Sequence, residues 1–501
     1  MDEIDNGRKR LRKSTKTEED RLSALPDEIL IEILSLFSIN SAAATSVLSS
    51  RWRYLWTKVT TFNFNSNKSK KNSRKITDIL GDILQQLTSS KLHTFNLQLH
   101  SLCKLLKPCV AESCLREICR RKPDHIKVNS KREFFHVPEL LFKTQSLVTL
   151  ELSGVVCFSN FVLENIQLPN LKHLTLGCLF DVHSWLENLV RCLPMLEELD
   201  LRFESYYQLQ KTPISILNIC ALNLKLLRIE MHSQWRTQRT NIFINAPELT
   251  YLSISDPNSF YYFRHHPSTL VTADINFTIE DVFGGDRKWM DGSKDYIHQV
   301  SRFVGGMSNV KELYLMLDSE TNIYSYYKFE KHRLLPIFHN LAYLNVSFED
   351  VGLIVWKDLL LSMHCFPNLN QLVVSLNTGC PIPVERSGWC DAPDSIPDCL
   401  VNKLKRIEIS GLGVHVELRL LKYILSHATV LEELHICVRY KSPICKKTQL
   451  WNECAFCTSL FSLPRASSTC EIVFSGLHIQ ASSNDSKNGH LACEMIGFDV
   501  T

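Results

Sequence analysis

A short apolar pattern, Leu-x-x-Leu-x-Leu with conservative replacements, recurs along most of this 501-residue chain. The last two apolar positions of each copy alternate with other residues, which is typical of a short strand with one buried face. Such a unit cannot bury its apolar face alone, so neighbouring copies must stack. The clearest copies begin at Leu147, Leu171, Leu196, Leu224, Leu249, Val310, Leu341, Leu369, Leu404 and Leu431. The pattern therefore predicts a solenoid of repeats, because an α/β fold of unrelated strands would not follow one template so often.

The spacing of the copies predicts an irregular solenoid. The first five clear copies follow one another at 24 to 28 residues, which lies within the range for leucine-rich repeats. Leu92 begins a plausible early copy, whereas residues 270–275 form a poor one. Proline precedes several copies and ends the segment before them. Residues 76–87 and 185–193 have helical periodicity, so we expect helices between the strands.

Two aromatic clusters lie where the repeat pattern is interrupted. The largest interruption, residues 258–295, carries the run Phe260–Phe263 followed by Arg264, and a second aromatic run spans Tyr324–Phe329. Aromatic side chains beside arginine suit protein recognition at the edge of a binding surface. They suit the internal packing of long loops equally well, so the sequence leaves both interpretations open.

An N-terminal stretch, Asp20–Trp56, has the features of a small helical docking module. Pro26 suits the first turn of a helix, and the acidic residues after it favour the helix dipole. Apolar residues from Ile29 to Phe37 recur at three- and four-residue spacing, which predicts an apolar helix face. Two tryptophans and two arginines follow within residues 51–56. Because about forty residues cannot bury so much apolar surface, the module must pack on the rest of the chain or form half of an interface.

Five stretches of this module, taken in order, resemble the F-box of plant proteins: DRLS, LPDEIL, ILS, TSVLS and RWRYLW. The resemblance implies docking onto the small Skp-type adaptor of a cullin-based ubiquitin ligase, while the rest of the chain selects the protein to be ubiquitinated. The residues expected at the adaptor interface are Leu25, Pro26, Ile29, Leu30, Ile33, Leu34, Val47, Trp52, Leu55 and Trp56. One segment departs from the family pattern, because Ser38–Ser41 stands where the family usually has a Leu-Pro and a charged pair.

The later part of the chain resembles the same plant family. The repeats look like the degenerate leucine-rich repeats of plant F-box proteins, and residues 404–474 resemble the FBD domain that closes many of them. The resemblance implies an α/β fold with an N-terminal three-helix F-box, an irregular leucine-rich-repeat solenoid (horseshoe) and a C-terminal FBD-like α/β cap. The predicted boundaries are 1–17 for a disordered basic tail, 18–62 for the F-box, 63–385 for the repeats, 386–475 for the FBD-like domain and 476–501 for a C-terminal tail.

Composition limits the kinds of binding partner and the cellular compartment that we expect for this chain. The chain has 56 basic and 53 acidic residues, a net charge of +3, which is too small to indicate nucleic acid or a membrane surface as a partner. No apolar run is long enough for a membrane span, and no secretory signal peptide is expected. The 18 cysteines are therefore expected to be reduced thiols in the nucleus or cytoplasm. A basic run is either a nuclear import signal or a solvated tail; its cations are Arg8, Lys9, Arg10, Arg12 and Lys13.

No pattern in the sequence predicts an active site, a metal or a cofactor. Cys454 and Cys457 form a lone C-x-x-C, and adding Cys445 and Cys470 gives no standard zinc spacing. The chain contains no phosphate-binding loop, no nucleophile elbow and no H-E-x-x-H motif. We therefore expect a protein that is not an enzyme by itself.

These observations favour one function over two alternatives. The favoured function is the substrate-recognition subunit of a Skp–cullin–F-box E3 ubiquitin ligase, which promotes reaction by holding a target protein close to the conjugating enzyme. The first alternative is a protein-interaction scaffold whose F-box-like hairpin does not bind the adaptor. The second is a co-receptor in which a small molecule completes the surface that the target protein recognises.

Overall fold

The computed structural model describes the chain in separate segments. They are residues 22, 24–66, 76–99, 108–157, 166–179, 184–204, 216–232, 240–256, 259–277, 293–317, 335–349, 356–377, 395–412, 418–438, 446–484 and 494–495. The predicted basic tail with its import signal, the aromatic run 324–329 and the predicted boundary at 385/386 lie outside these residues. Those expectations, and the domain boundaries in general, stay predictions.

Short helical segments build the N-terminal module. They are helix α1 (Asp27–Ser35), helix α2 (Ile39–Ala44) and the 3-10 segments Thr45–Val47 and Trp52–Lys58. Acidic residues occupy the first turn of α1, as the sequence predicts, whereas Pro26 is the N-cap and stands one residue before the expected first helical position. Ser38 caps α2, because its hydroxyl accepts a hydrogen bond from the backbone N–H of Ser41 at 3.4 Å.

Helices and strands alternate along the rest of the chain. The helices are α3 (Ile76–Gln86), α4 (Pro108–Arg120), α5 (Ser184–Arg191), α6 (Ser293–Gly305), α7 (Trp356–Ser362), α8 (Asp398–Asn402), α9 (Leu418–His427) and α10 (Lys446–Phe461). Further 3-10 segments are Glu139–Lys143 and Met363–Cys365. The strands are β1 (Thr61–Asn65), β2 (Thr94–Leu99), β3 (His125–His136), β4 (Thr149–Cys157), β5 (His173–Leu179), β6 (Glu198–Glu204), β7 (Ile216–Cys220), β8 (Leu226–His232), β9 (Asn241–Asn245), β10 (Tyr251–Ser255), β11 (Phe260–Phe263), β12 (Thr272–Asn276), β13 (Glu312–Leu317), β14 (Tyr343–Glu349), β15 (Gln371–Asn377), β16 (Arg406–Leu412), β17 (Glu433–Val438), β18 (Glu471–Ser475), β19 (Ile479–Ser482) and β20 (Glu494–Met495).

Seventeen of these strands form one continuous sheet. From β1 to β18 each strand of this sheet pairs in parallel with the next one in sequence, and β19 and β20 close the end with antiparallel pairings. One backbone hydrogen-bond pattern recurs at the start of the strands: two consecutive N–H groups donate to a single carbonyl oxygen of the preceding repeat. Lys172 and His173, for example, donate to the carbonyl of Val148 at 2.9 and 3.1 Å. The solenoid predicted from the repeats is therefore confirmed.

The apolar positions of the repeat template supply the core. In the copy that begins at Leu196, the side chains of Leu196, Leu199 and Leu201 are all buried. The residues between them face the other side of the sheet, which we call the open face, because side chains alternate along a strand. The same three positions are buried in the poor copy at 270–275, where Ala273 pairs with Leu252 and Leu313 in normal register.

A second, three-stranded parallel sheet replaces helices in the middle of the solenoid. Strand β9 pairs with β7 on one side and with β11 on the other. These strands occur between β6 and β12, at the points in the chain where other repeats carry helices. The expected interruption at 258–295 is therefore wrong for its first half, since residues 259–277 contain β11 and a complete repeat strand, β12.

The FBD-like region continues the solenoid without a break in the sheet. Strand β16 pairs in parallel with β15, and β17 pairs in parallel with β16 and β18. Helix α10 then packs against β19 and buries Glu453, whose carboxylate accepts three backbone N–H groups from the β18–β19 turn. This different final unit covers the last apolar layer, as a solenoid end requires.

Candidate functional site

The predicted adaptor-binding residues divide into a buried set and an accessible set. The buried side chains, each at most 7% exposed, are Leu30, Leu34, Trp52, Leu55 and Trp56. Pro26, Ile29 and Val47 are exposed, while Leu25 and Ile33 are partly exposed. The buried side chains hold the module together and therefore cannot touch a partner while it stays folded. Only the accessible set can contact a partner directly.

Further exposed apolar side chains belong to the same module and were not predicted as adaptor contacts. Leu36, Phe37, Leu48 and Tyr54 are 83, 49, 62 and 65% exposed. Together with Ile29 and Val47 they form what we call the outward set. Helix α1 explains the division, since residues 29, 33 and 36 lie on one side of a 3.6-residue helix and residues 30 and 34 lie on another. Both sides are apolar, and only one is covered by the chain itself.

Polar contacts fix the internal geometry of the module. The Arg51 guanidinium donates from Nε and Nη2 to the Asp27 carboxylate at 2.9 and 2.7 Å, and from Nη2 to the Leu25 carbonyl at 2.6 Å. These bonds tie the start of α1 to the segment that precedes the last helical turn. The segment that departs from the family pattern is also well accommodated, because Ser38 caps α2 and Ile39 is buried.

The module is seated on the first strand of the solenoid. The hydroxyl of Ser35 donates to the Ile31 carbonyl at 2.8 Å and accepts the backbone N–H of Thr60 at 3.2 Å. Thr60 directly precedes β1, in which Phe62 and Phe64 are fully buried. The inner side of the module thus caps the N-terminal end of the sheet, and the outward set is held in a fixed position relative to the repeats.

The open face of the sheet carries more acidic than basic side chains. Over the fifteen paired strands β1–β6, β8, β10 and β12–β18, its five-residue registered segments hold nine acidic residues: Glu151, Glu198, Asp200, Glu230, Asp274, Glu312, Glu408, Glu433 and Glu471. They hold four basic residues: Lys127, Arg202, Arg228 and Arg406. This balance opposes the net charge of the whole chain, which is +3.

Ion pairs within and between strands neutralise part of that charge. The Glu151 carboxylate lies 2.9 Å from the Lys127 ammonium. Asp200 bonds the Arg202 guanidinium at 2.8 Å and lies 3.6 Å from that of Arg228. Asp274 and Glu408 form no hydrogen bond or ion pair with any residue that the structure describes. The uncompensated acidity of the open face therefore lies in its middle and later strands.

Part of the first aromatic cluster packs into the interior, while Phe260, Tyr262 and Phe263 are partly exposed. Tyr261 is 3% exposed, and its hydroxyl donates to the Asp256 carboxylate at 2.8 Å. Phe263 stacks on Phe303 of α6 with 4.7 Å between ring centroids. Of the two interpretations left open by the sequence, packing describes Tyr261 and the stacked face of Phe263, and the recognition interpretation stays a prediction for the exposed parts of the cluster.

Within the described segments, no helix is both long and apolar enough to cross a bilayer, and no group of three or more His, Cys, Asp or Glu residues is arranged to hold a metal ion. Of the C-x-x-C pair, Cys457 is buried in the core and Cys454 is exposed on α10. Cys445 lies outside the described residues.

Comparison with known proteins agrees with this architecture. A family model of the F-box domain matches residues 22–63, and a model of the FBD domain matches residues 392–436. In Arabidopsis thaliana, F-box/FBD/LRR-repeat protein At5g22660 is 25% identical, covering 91% of this chain and 96% of its own length. F-box/FBD/LRR-repeat protein At1g78750 is 27% identical, with coverages of 93% and 99%.

A third relative and one solved structure complete the comparison. FBD-associated F-box protein At1g66310 of Arabidopsis thaliana is 28% identical and covers 93% of this chain and 99% of its own length. A leucine-rich-repeat protein of Leptospira interrogans aligns over 83% of this chain and 96% of its own, with a TM-score of 0.32 and 15% identity, which is too weak a likeness to bear on the architecture. The domain matches and relatives point to an F-box substrate-adaptor protein, a class that is typically non-catalytic. The chain thus contains an F-box domain and an FBD domain, and over nearly its whole length it is similar to the F-box/FBD/LRR-repeat proteins of Arabidopsis thaliana.

Proposed function

We propose that the protein is the substrate-recognition subunit of a Skp–cullin–F-box E3 ubiquitin ligase. In this proposal the outward set of the N-terminal module binds the Skp-type adaptor, and the solenoid binds the protein to be ubiquitinated. The observation that carries the proposal is the double-sided module: one apolar side caps the solenoid, and the other side leaves Leu36, Val47 and Leu48 more than 60% exposed.

The exposed side chains are an energetic reason to expect a partner. Fully burying one side chain of this size contributes about 1.5 to 3 kcal/mol. A soluble protein rarely leaves so many large apolar side chains uncovered in one small module unless they form an interaction site. An adaptor that covered the outward set would gain this free energy of burial, reduced by the free-energy cost of association.

The altered segment Ser38–Ser41 is compatible with adaptor binding. Its lack of the proline and charges of the family pattern is the ground for the scaffold alternative. The segment nevertheless starts α2 with a capped turn and buries Ile39, so the helices on either side keep their positions. A local sequence change of this kind alters at most the contacts made by Ser38–Ser41 themselves, and leaves the outward set available.

The contribution to the ligase reaction is proximity. The hydrogen bond between Thr60 and Ser35 and the burial of Phe62 couple the module to the sheet, so the adaptor and the target would be held at a fixed separation. Holding a target lysine near the charged conjugating enzyme raises its effective concentration. No catalytic residue of this chain is needed for that role.

Single substitutions in the full chain test the proposal. We expect Leu36→Asp and Leu48→Asp each to weaken binding of a purified Arabidopsis Skp-type adaptor by about tenfold or more, because each places a charge in the covered patch. The melting temperature should not change, since both side chains are exposed.

The matched control is Leu222→Asp, which changes a leucine of the same 62% exposure as Leu48 in a turn of the repeats. This variant should bind the adaptor like the unmodified chain. Equal adaptor affinity for all three variants would refute the assignment of the outward set. The absence of any adaptor binding by the unmodified chain would make the scaffold alternative the leading one.

A further inference from the structure

Five side chains in the middle of the open face form what we call the tyrosine–carboxylate patch: Tyr251, Asp274, Glu312, Tyr314 and Tyr343. They belong to the neighbouring strands β10, β12, β13 and β14. Asp274 is directly beside Tyr314, and Glu312 is directly beside Tyr343, in the registers of the paired strands. The rings of Tyr314 and Tyr343 lie 5.2 Å apart between centroids.

The carboxylates of the patch lack a cationic partner among the described residues. Asp274 makes no hydrogen bond or ion pair with them, and partial burial raises its pKa, although Arg228 acts in the opposite direction. The Arg228 guanidinium is engaged two strands away, 3.6 Å from Asp200 and 5.9 Å from the centroid of the Tyr251 ring. Glu312 accepts a hydrogen bond from the hydroxyl of Thr272 at 3.2 Å, but its charge is not paired.

This chemistry suits a positively charged side chain supplied from outside. A carboxylate that has lost part of its hydration and has no partner gains most from an incoming cation. Tyrosine ring faces attract the same cation, with about 0.5 to 2 kcal/mol for each well-placed pair. The wider open face has nine acidic and four basic side chains, so it favours the approach of a basic segment.

We propose that the tyrosine–carboxylate patch binds a lysine or arginine side chain in a basic, extended segment of the target protein. The patch spans four adjacent strands on an open sheet surface, which offers room for a peptide backbone. The inference rests on the proposed function only in assigning the segment to a ubiquitination target. The binding itself involves no residue of the outward set.

Peptide binding to the full chain tests this proposal. The probes are fluorescein-labelled peptides of about twelve residues in which lysine, or glutamate in the matched peptide, alternates with glycine. Fluorescence anisotropy at about 50 mM salt, where screening is weak, should show the lysine peptide binding about tenfold more tightly than the glutamate peptide. The proposal is overturned if the two peptides bind equally, or if neither binds at about 1 mM.

Two substitutions locate the binding site. Asp274→Asn should weaken binding of the lysine peptide about five- to tenfold, while the melting temperature stays unchanged or rises, because an unpaired charge is removed. The matched control is Glu408→Gln in the same row of the open face, which removes another carboxylate without a described partner but has no tyrosine beside it in β15 or β17. Glu408→Gln should change the affinity less than twofold. Equal losses for both variants would mean diffuse attraction and would overturn the proposed site.

The same samples separate this proposal from the ligase role. Adaptor binding should be unaffected by Asp274→Asn, because the patch and the outward set are in different parts of the chain. Binding of the lysine peptide by a chain that fails to bind the adaptor would refute the proposed function and support the patch. Adaptor binding without selectivity for the lysine peptide would support the proposed function and refute the patch as a binding site.

Discussion

Replacing the buried Glu453 by alanine should open the C-terminal end of the solenoid. Its side chain is 0% exposed, and its two oxygens accept the backbone N–H groups of Leu477, His478 and Ile479 at 3.0, 3.0 and 3.1 Å. Leaving one buried donor unsatisfied costs about 1 to 3 kcal/mol, so three donors give about 3 to 9 kcal/mol. Water that enters the vacated space can satisfy some of them, and we therefore expect about 3 to 5 kcal/mol.

The loss of stability in Glu453→Ala should be local, because each unit of a solenoid contacts only its neighbours. Hydrogen exchange of backbone amides in residues 471–483 should become about a hundredfold to a few thousandfold faster in Glu453→Ala, since about 1.4 kcal/mol corresponds to a factor of ten. Amides of β10 in the middle of the sheet should keep their rates. The control is Glu432→Gln, which changes a glutamate that is 51% exposed and pairs with Lys405. Unchanged exchange of residues 471–483 in Glu453→Ala would refute the assigned role.

Two further predictions concern the backbone and the thiols. Gly154→Ala should destabilise the chain by about 1 to 3 kcal/mol or more in chemical unfolding, because φ is +121° there and an added Cβ would lie 2.0 Å from the Ser130 carbonyl oxygen. Gly81→Ala, in open space on α3, should instead stabilise it by about 0.5 to 1 kcal/mol, and the reasoning fails if the two changes have the same sign. Burial raises the pKa of the Cys399 thiol to about 12, so iodoacetamide at about pH 7.5 should modify the exposed Cys192 before Cys399. Equal rates of modification in the folded protein, followed by mass spectrometry, would contradict that burial.

The repeat fold was largely predictable because burial imposes a fixed template. The apolar positions of the pattern are buried in copy after copy, so their spacing appears directly in the sequence. Strand β3 was missed because Pro123 takes the place of the anchoring leucine. The three-stranded second sheet was missed because short alternating segments such as 241–245 carry no signal that distinguishes them from loops between repeats.

The candidate sites were less predictable because they depend on contacts between distant residues. The apolar run from Ile29 to Phe37 predicts a packed helix, but the side of the helix that the chain itself covers depends on how the module packs on β1. Seven-residue spacing between Ile29 and Leu36 was the available sign of a second apolar side. The tyrosine–carboxylate patch joins residues from Tyr251 to Tyr343, and only the strand registers bring them together.

Isothermal titration of the full chain with a purified Arabidopsis Skp-type adaptor tests the central claim most directly. The outward set presents several exposed apolar side chains on a module that is already folded and seated, so little binding energy is lost in ordering it. We predict a one-to-one complex with micromolar or tighter affinity and a negative heat-capacity change, which marks the burial of apolar surface. The absence of measurable binding at concentrations of about 100 μM would contradict the account.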